Sequence, residues 1–147
     1  MNIYEFFKSF CPNWYYKTGT IYSTVGDFDT YKSSGTSISL SKLSGYMKVV
    51  LSAATAWIYG TTQIDVTNIE TLWIRVTNSH PTAAMQLNLH TSYTSTGATA
   101  YSWISGGTTN EWVSLDVSGL SGSYYLRVGR FDSTVSTTIT VYEIYGV

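Results

Sequence analysis

The chain has 147 residues, a formal net charge of -1, and only 12% charged residues. That length fits one domain able to bury a core, and that charge creates no field that would gather nucleic acid or an anionic membrane. Its excess lies in aromatic residues, 16% of the chain with Tyr 13, and in hydroxyls, 20 Ser and 22 Thr. Thr and Tyr suit pleated, half-buried surfaces while common helix formers are scarce, which predicts an all-β protein.

The first stretch, "MNIYEFFKSFCPNWYY", places Ile3, Phe6, Phe7 and Phe10 at i, i+3, i+4 and i+7, one face of a helix. Pro12 limits that helix to about two turns, and a helix so short persists only where its apolar face docks on something. With Glu5 and Lys8 inside it, the stretch lacks the basic start and unbroken apolar run of an export signal. No segment approaches the ~20 apolar residues of a membrane-crossing helix. Cys11, the only cysteine, cannot form an internal disulfide and reads as a small apolar residue. Residues 18–37 are rich in Gly, Ser, Thr and Asp, and read as a connection with a first edge strand.

Strand-like alternation then dominates: residues 46–52, 55–60, 71–78, 83–91, 111–117, 124–129 and 137–147, separated by turn-forming clusters. Seven or more short strands at this spacing predict an antiparallel β-sandwich of the jelly-roll type over residues 36–147, preceded by a short helical or extended arm over residues 1–35.

Alternation also assigns faces. In "TLWIRVTN", Leu72, Ile74 and Val76 point one way, Trp73 and Arg75 the other; in "MQLNLHT", Met85, Leu87 and Leu89 oppose Gln86, Asn88 and His90. A hairpin turning near His80-Pro81 would set Trp73 across from Asn88 and Arg75 across from Gln86. Residues 111–117 bury Val113, Leu115 and Val117 and show Trp112, and residues 124–129 show Tyr125 and Arg127. Trp73, Arg75, Gln86, Asn88, His90, Trp103 and Trp112 thus form a candidate face with two readings. One is a sugar platform, an aromatic plane with amides and a guanidinium for hydroxyls; the other is a sheet face covered by a neighbouring subunit or strand.

The acids are scattered, with no carboxylate pair marked for glycoside hydrolysis. The two histidines suggest no triad, and phosphate-loop, nucleophile-elbow and zinc-protease motifs are missing, so no enzyme is expected. No cofactor is expected; a structural calcium held by Asp27, Asp29 and Glu143 is an alternative to solvated acids.

The phrases "QIDVTNIETLWIRV" (63–76), "WVSLDVSGLSGSYYLRVG" (112–129) and "TITVYEI" (138–144) resemble galactose-binding-like β-sandwich domains of tailed-phage virion proteins, which resemble carbohydrate-binding modules. The resemblance implies a tail, fibre, adaptor or capsid-decorating component in the virion, made in the host cytoplasm. In that role Ile3, Phe6, Phe7, Phe10 and Trp14 would dock on other virion proteins or on copies of the chain, as a homo-oligomer such as a trimer. The alternative it implies is a carbohydrate-binding module adsorbing to host-surface glycans.

Overall fold

The computed structural model describes residues 20–23, 31–34, 38–43, 46–52, 56–92, 97–130 and 136–146. The aromatic segment with Ile3, Phe6, Phe7, Phe10 and Trp14, together with Asp27 and Asp29, lies outside them. All regular structure among the described residues is strand: β1 (Thr20–Ser23), β2 (Tyr31–Ser34), β3 (Ile38–Leu43), β4 (Tyr46–Leu51), β5 (Ala56–Gly60), β6 (Ile64–Asp65), β7 (Thr71–Asn78), β8 (Met85–His90), β9 (Ala100–Ile104), β10 (Glu111–Asp116), β11 (Ser123–Arg130) and β12 (Thr137–Gly146).

These strands form two sheets, and every pairing is antiparallel. The first runs β10-β7-β12-β4-β3, with β1 also on β12; the second runs β2-β5-β11-β8-β9, with β6 also on β11. The inward residues are those that alternation selects. Leu72, Ile74 and Val76 of β7 meet Val49, Ile139 and Val141 in the first sheet's inner face; Met85, Leu87, Leu89, Leu126 and Val128 line the second, all buried. Burying such side chains contributes about 1.5–3 kcal/mol each, and the period of two leaves each sheet one outward face.

The expected β7–β8 hairpin does not form. β7 pairs with β10 and β12, whereas β8 pairs with β11 and β9. The chain between them changes sheets, and buried Asn78 fixes the crossing. Its Nδ2 donates to the carbonyls of Ala83 (2.8 Å), Ser105 (3.2 Å) and Ile104 (3.4 Å), and its Oδ1 accepts from Thr137 Oγ1 (3.0 Å) and His80 N–H (3.2 Å). His80 Nδ1 in turn accepts the backbone N–H groups of Thr82 (3.1 Å) and Ala83 (2.8 Å). Gly106 passes so close that a Cβ there would lie 2.5 Å from the Thr82 carbonyl carbon, which ties the β9–β10 loop to this crossing.

At other corners, Asp65 Oδ1 accepts the Thr67 N–H (2.9 Å) and Asp116 Oδ1 accepts the Ser118 N–H (3.0 Å) and hydroxyl (2.7 Å). Hydrogen bonds from the Thr67 and Ser118 groups hold these carboxyls below the ordinary aspartate range. Residues 63–76 and 112–129 are therefore each built around a side-chain-closed turn followed by a hydrophobic anchor, Ile69 or Leu120, against the core.

Candidate functional site

The two outward faces differ in what their side chains have left to offer. On the first sheet, Arg75 sits opposite Trp112 on β10 and Glu143 on β12. A bulge between Val141 and Glu143 inserts Tyr142, so that two half-exposed β12 residues, Tyr142 and Glu143, follow each other without an inward residue between them. The Arg75 guanidinium donates to Glu143 Oε1 (2.6 Å) and Asn110 Oδ1 (2.7 Å). It also lies 5.0 Å from the Tyr142 ring centre and 5.9 Å from that of Trp112. Trp112 packs on Tyr145, centres 5.5 Å apart, and Tyr142 on Tyr46 at 6.1 Å. Burial, with Glu143 nearby, pushes the Tyr145 phenol above its ordinary pKa and keeps it neutral. The polar groups of Arg75 and Glu143 are thus spent on one another and, for Arg75, on Asn110 just ahead of β10. Glu143 is engaged by Arg75, and among the described residues no group of three potential metal ligands converges.

The second sheet presents two cross-strand rows on its outward face. One runs Tyr59, Arg127, Asn88, Tyr101 across β5, β11, β8 and β9; the next runs Trp57, Gly129, Gln86, Trp103. Arg127 points outward, as alternation predicts, yet it is 0% exposed, because Trp57 covers it with its ring centre 5.4 Å from the guanidinium carbon. Gly129 permits this cover: a Cβ there would fall 2.5 Å from the Cα and Cβ of Trp57 and 2.4 Å from the Ala56 carbonyl oxygen. Burial pulls the Arg127 pKa below the ordinary guanidinium value, and it remains a cation at neutral pH. Its Nε donates to Asn88 Oδ1 (2.9 Å), and Asn88 Nδ2 donates to Gln86 Oε1 (2.9 Å). This relay fixes both carboxamides and leaves the half-buried Gln86 as the end that meets solvent.

His90, opposite Tyr125 on the same face, accepts the Ser92 N–H through Nδ1 (2.9 Å), so its proton sits on Nε2. Burial first, then the Arg127 charge, lowers its pKa and keeps the ring neutral. Beside these groups stand Tyr101 and Trp103, 57% and 55% exposed, with ring centres 6.2 Å apart and planes at 78°.

The face expected from the sequence is therefore divided. Trp73, Arg75 and Trp112 lie on the outside of the first sheet, while Gln86, Asn88, His90 and Trp103 lie on the outside of the second, with the core between them. Trp73 faces Ser114 and Tyr145, not Asn88. Tyr101, Arg127 and Trp57 join the second group. Alternation in "AYSWI" (100–104) pairs Tyr101 with Trp103, and the "AWIYG" strand points Trp57 outward; the burial of Arg127 under Trp57 has no local sequence signal.

No protein-family model matches the sequence, and no curated protein matches it. Solved structures do match in fold. A mutant of a family 29 carbohydrate-binding module superposes with a TM-score of 0.61 at 14% identity, over 88% of this chain and 90% of that one. A low-affinity xylan-binding module of family 86 from Roseburia intestinalis does so at 0.62 and 10% identity, over 89% and 96%. A family 6 module from Clostridium stercorarium in complex with cellobiose does so at 0.51 and 14% identity, over 87% and 90%. The chain thus has the β-sandwich fold of carbohydrate-binding modules, spanning nearly the whole of each.

Proposed function

We propose that this protein is a non-catalytic glycan-binding module whose ligand face is the outer surface of the second sheet. Tyr101 and Trp103 supply stacking surfaces, the half-buried Gln86 supplies hydrogen bonds to hydroxyls, and Arg127 with Trp57 and the fully buried Asn88 holds that carboxamide in place. The observation that carries this reading is the pairing of two largely exposed aromatic side chains with a pre-ordered amide relay on one face. Exposed aromatics cost solubility unless they have a use, and sugar sites combine apolar surface with a few oriented polar groups. The carbohydrate-binding modules that share the fold support it.

Screening the protein against immobilised plant, fungal and bacterial wall polysaccharides tests the proposal. Trp103→Ala is expected to weaken retention on whichever glycan binds by roughly tenfold or more, the equivalent of one lost aromatic contact, with an unchanged circular dichroism spectrum. Unchanged retention would exclude this face.

Display of the module on a virion, docked through Ile3, Phe6, Phe7, Phe10 and Trp14, is a second proposal, supported by the sequence resemblance to phage domains. Deleting residues 1–16 is expected to leave a folded sandwich that no longer joins particles; particle-associated deletion protein would overturn it. Many copies on a particle would convert weak single contacts into firm attachment.

A further inference from the structure

The exposed aromatic pair has an angle that discriminates among glycans, an inference that rests on the glycan-binding reading above. A pyranose is held by an aromatic ring lying parallel to its apolar face, where its C–H bonds meet the π cloud. Tyr101 and Trp103 stand on the same side of β9, with centres 6.2 Å apart and planes at 78°. Two such rings cannot both lie flat against sugars that share a plane. An edge-to-face arrangement is a favoured state of an aromatic pair, so mutual contact holds the angle even where the rings are exposed.

Flat-ribbon polysaccharides, and the crystalline surfaces they build, keep successive sugar planes parallel, and only one of these rings could grip them at a time. A chain that twists strongly about its axis turns each sugar relative to the last. It presents two non-parallel apolar faces one sugar apart, the arrangement that a steeply angled pair of rings fits. Asn88 is paired across from Tyr101, and Gln86 across from Trp103. Asn88 is fully buried and spent on Arg127 and Gln86, so Gln86, beside Trp103, is the carboxamide that a stacked sugar would meet. We propose that Tyr101 and Trp103 grip two successive residues of a single, twisted, uncharged polysaccharide chain of the xylan kind, and that the face discriminates against flat-ribbon and crystalline glycans.

Calorimetric titration of the full chain with xylohexaose, cellohexaose and mannohexaose, alongside sedimentation with microcrystalline cellulose, tests this. Xylohexaose is expected to bind on the order of tenfold tighter than the other two, and the protein to stay in the supernatant. Tyr101→Ala and Trp103→Ala should each remove most of that preference while the circular dichroism spectrum is retained. Equal or tighter binding of cellohexaose or mannohexaose, or co-sedimentation with cellulose that Trp103→Ala abolishes, would overturn the inference and leave the glycan-binding reading standing. Silence toward all three hexasaccharides would also overturn it. The polysaccharide screen with Trp103→Ala then decides the broader reading by itself.

Discussion

Gly129 shows how one missing side chain organises the second sheet's outer face. The position lies between Trp57 and Gln86, and its bare backbone lets Trp57 close over Arg127. A methyl group there would meet backbone atoms of Ala56 and Trp57 at about 2.4–2.5 Å, which rotamer changes cannot relieve. Gly129→Ala is therefore expected to destabilise the fold by about 1–3 kcal/mol, the range for overpacking, seen as a lower midpoint in urea unfolding. It should weaken glycan binding too, since displacing Trp57 unsettles the Arg127–Asn88–Gln86 relay.

His90 gives that face a pH response. Its folded pKa lies below the ordinary 6.5 because burial and then Arg127 disfavour the imidazolium. Between the lowered value and 6.5 the unfolded chain binds more protons than the folded one, so stability rises with pH through that window. The contribution is complete above 6.5 and is lost as pH falls through the lowered value. Urea unfolding at a series of pH values is expected to show this slope, and His90→Gln, which cannot titrate, to flatten it. The turn carboxylates Asp65 and Asp116, also lowered, lose their contributions in a separate window, as pH falls below the ordinary 3.8.

At the scale of elements, alternation located most of the strands because both sheets hide one face and show the other. β7 runs half-buried, buried in strict turn over its whole length, Thr71 to Asn78. The partners of each strand were not legible. Consecutive strands pair in a hairpin where the connection is a tight turn, but residues 79–84 carry the chain to the other sheet, guided by hydrogen bonds from Asn78 and His80 that reach across the turn. That one crossing separated Trp73 and Arg75 from Gln86 and Asn88. The strands β3, β6 and β9 were not among those that alternation picked out; β9, whose "AYSWI" is only five residues long, follows a Ser/Thr/Gly-rich run. It brought Tyr101 into the site.

The β12 bulge likewise has no sequence mark, yet it sets the character of the first sheet. Placing Tyr142 and Glu143 together opposite Arg75 turns a potential binding cation into part of a closed cluster. Both partners are about a third exposed, at 28% and 33%, so solvent screens the pair and its worth is about 0–1 kcal/mol. Arg75→Met, which removes the charge and keeps an unbranched stem, is expected to shift the unfolding midpoint little. Glycan binding should be unaffected if the second sheet alone carries it, a direct control for the Trp103→Ala result.

Across the whole molecule, the sandwich needs its two sheets held in register as well as pressed together. Apolar contact between inner faces is non-directional, so direction must come from polar groups that cross the layer. Asn78 is such a group. From the end of β7 in the first sheet it reaches the Ile104 and Ser105 carbonyls at the end of β9 in the second, while its oxygen accepts from Thr137 of β12. Fully buried, it satisfies groups that would otherwise lie unpaired beneath the crossing. Asn78→Ala removes these bonds and strands the Thr137 hydroxyl and the Ala83 carbonyl, each at about 1–3 kcal/mol. The loss should therefore exceed that of a typical core substitution of similar size. Asn78→Asp should differ in kind: the carboxylate can still accept from Thr137 and His80 but cannot donate to the carbonyls, and burying its charge unpaired is unfavourable. Its stability is expected to recover as pH falls toward protonation of the introduced acid, opposite in sign to the His90 response. Denaturation of the two variants at neutral and mildly acidic pH checks this, and a deficit in the Asn78→Asp variant that does not change with pH would show that the staple works by packing alone.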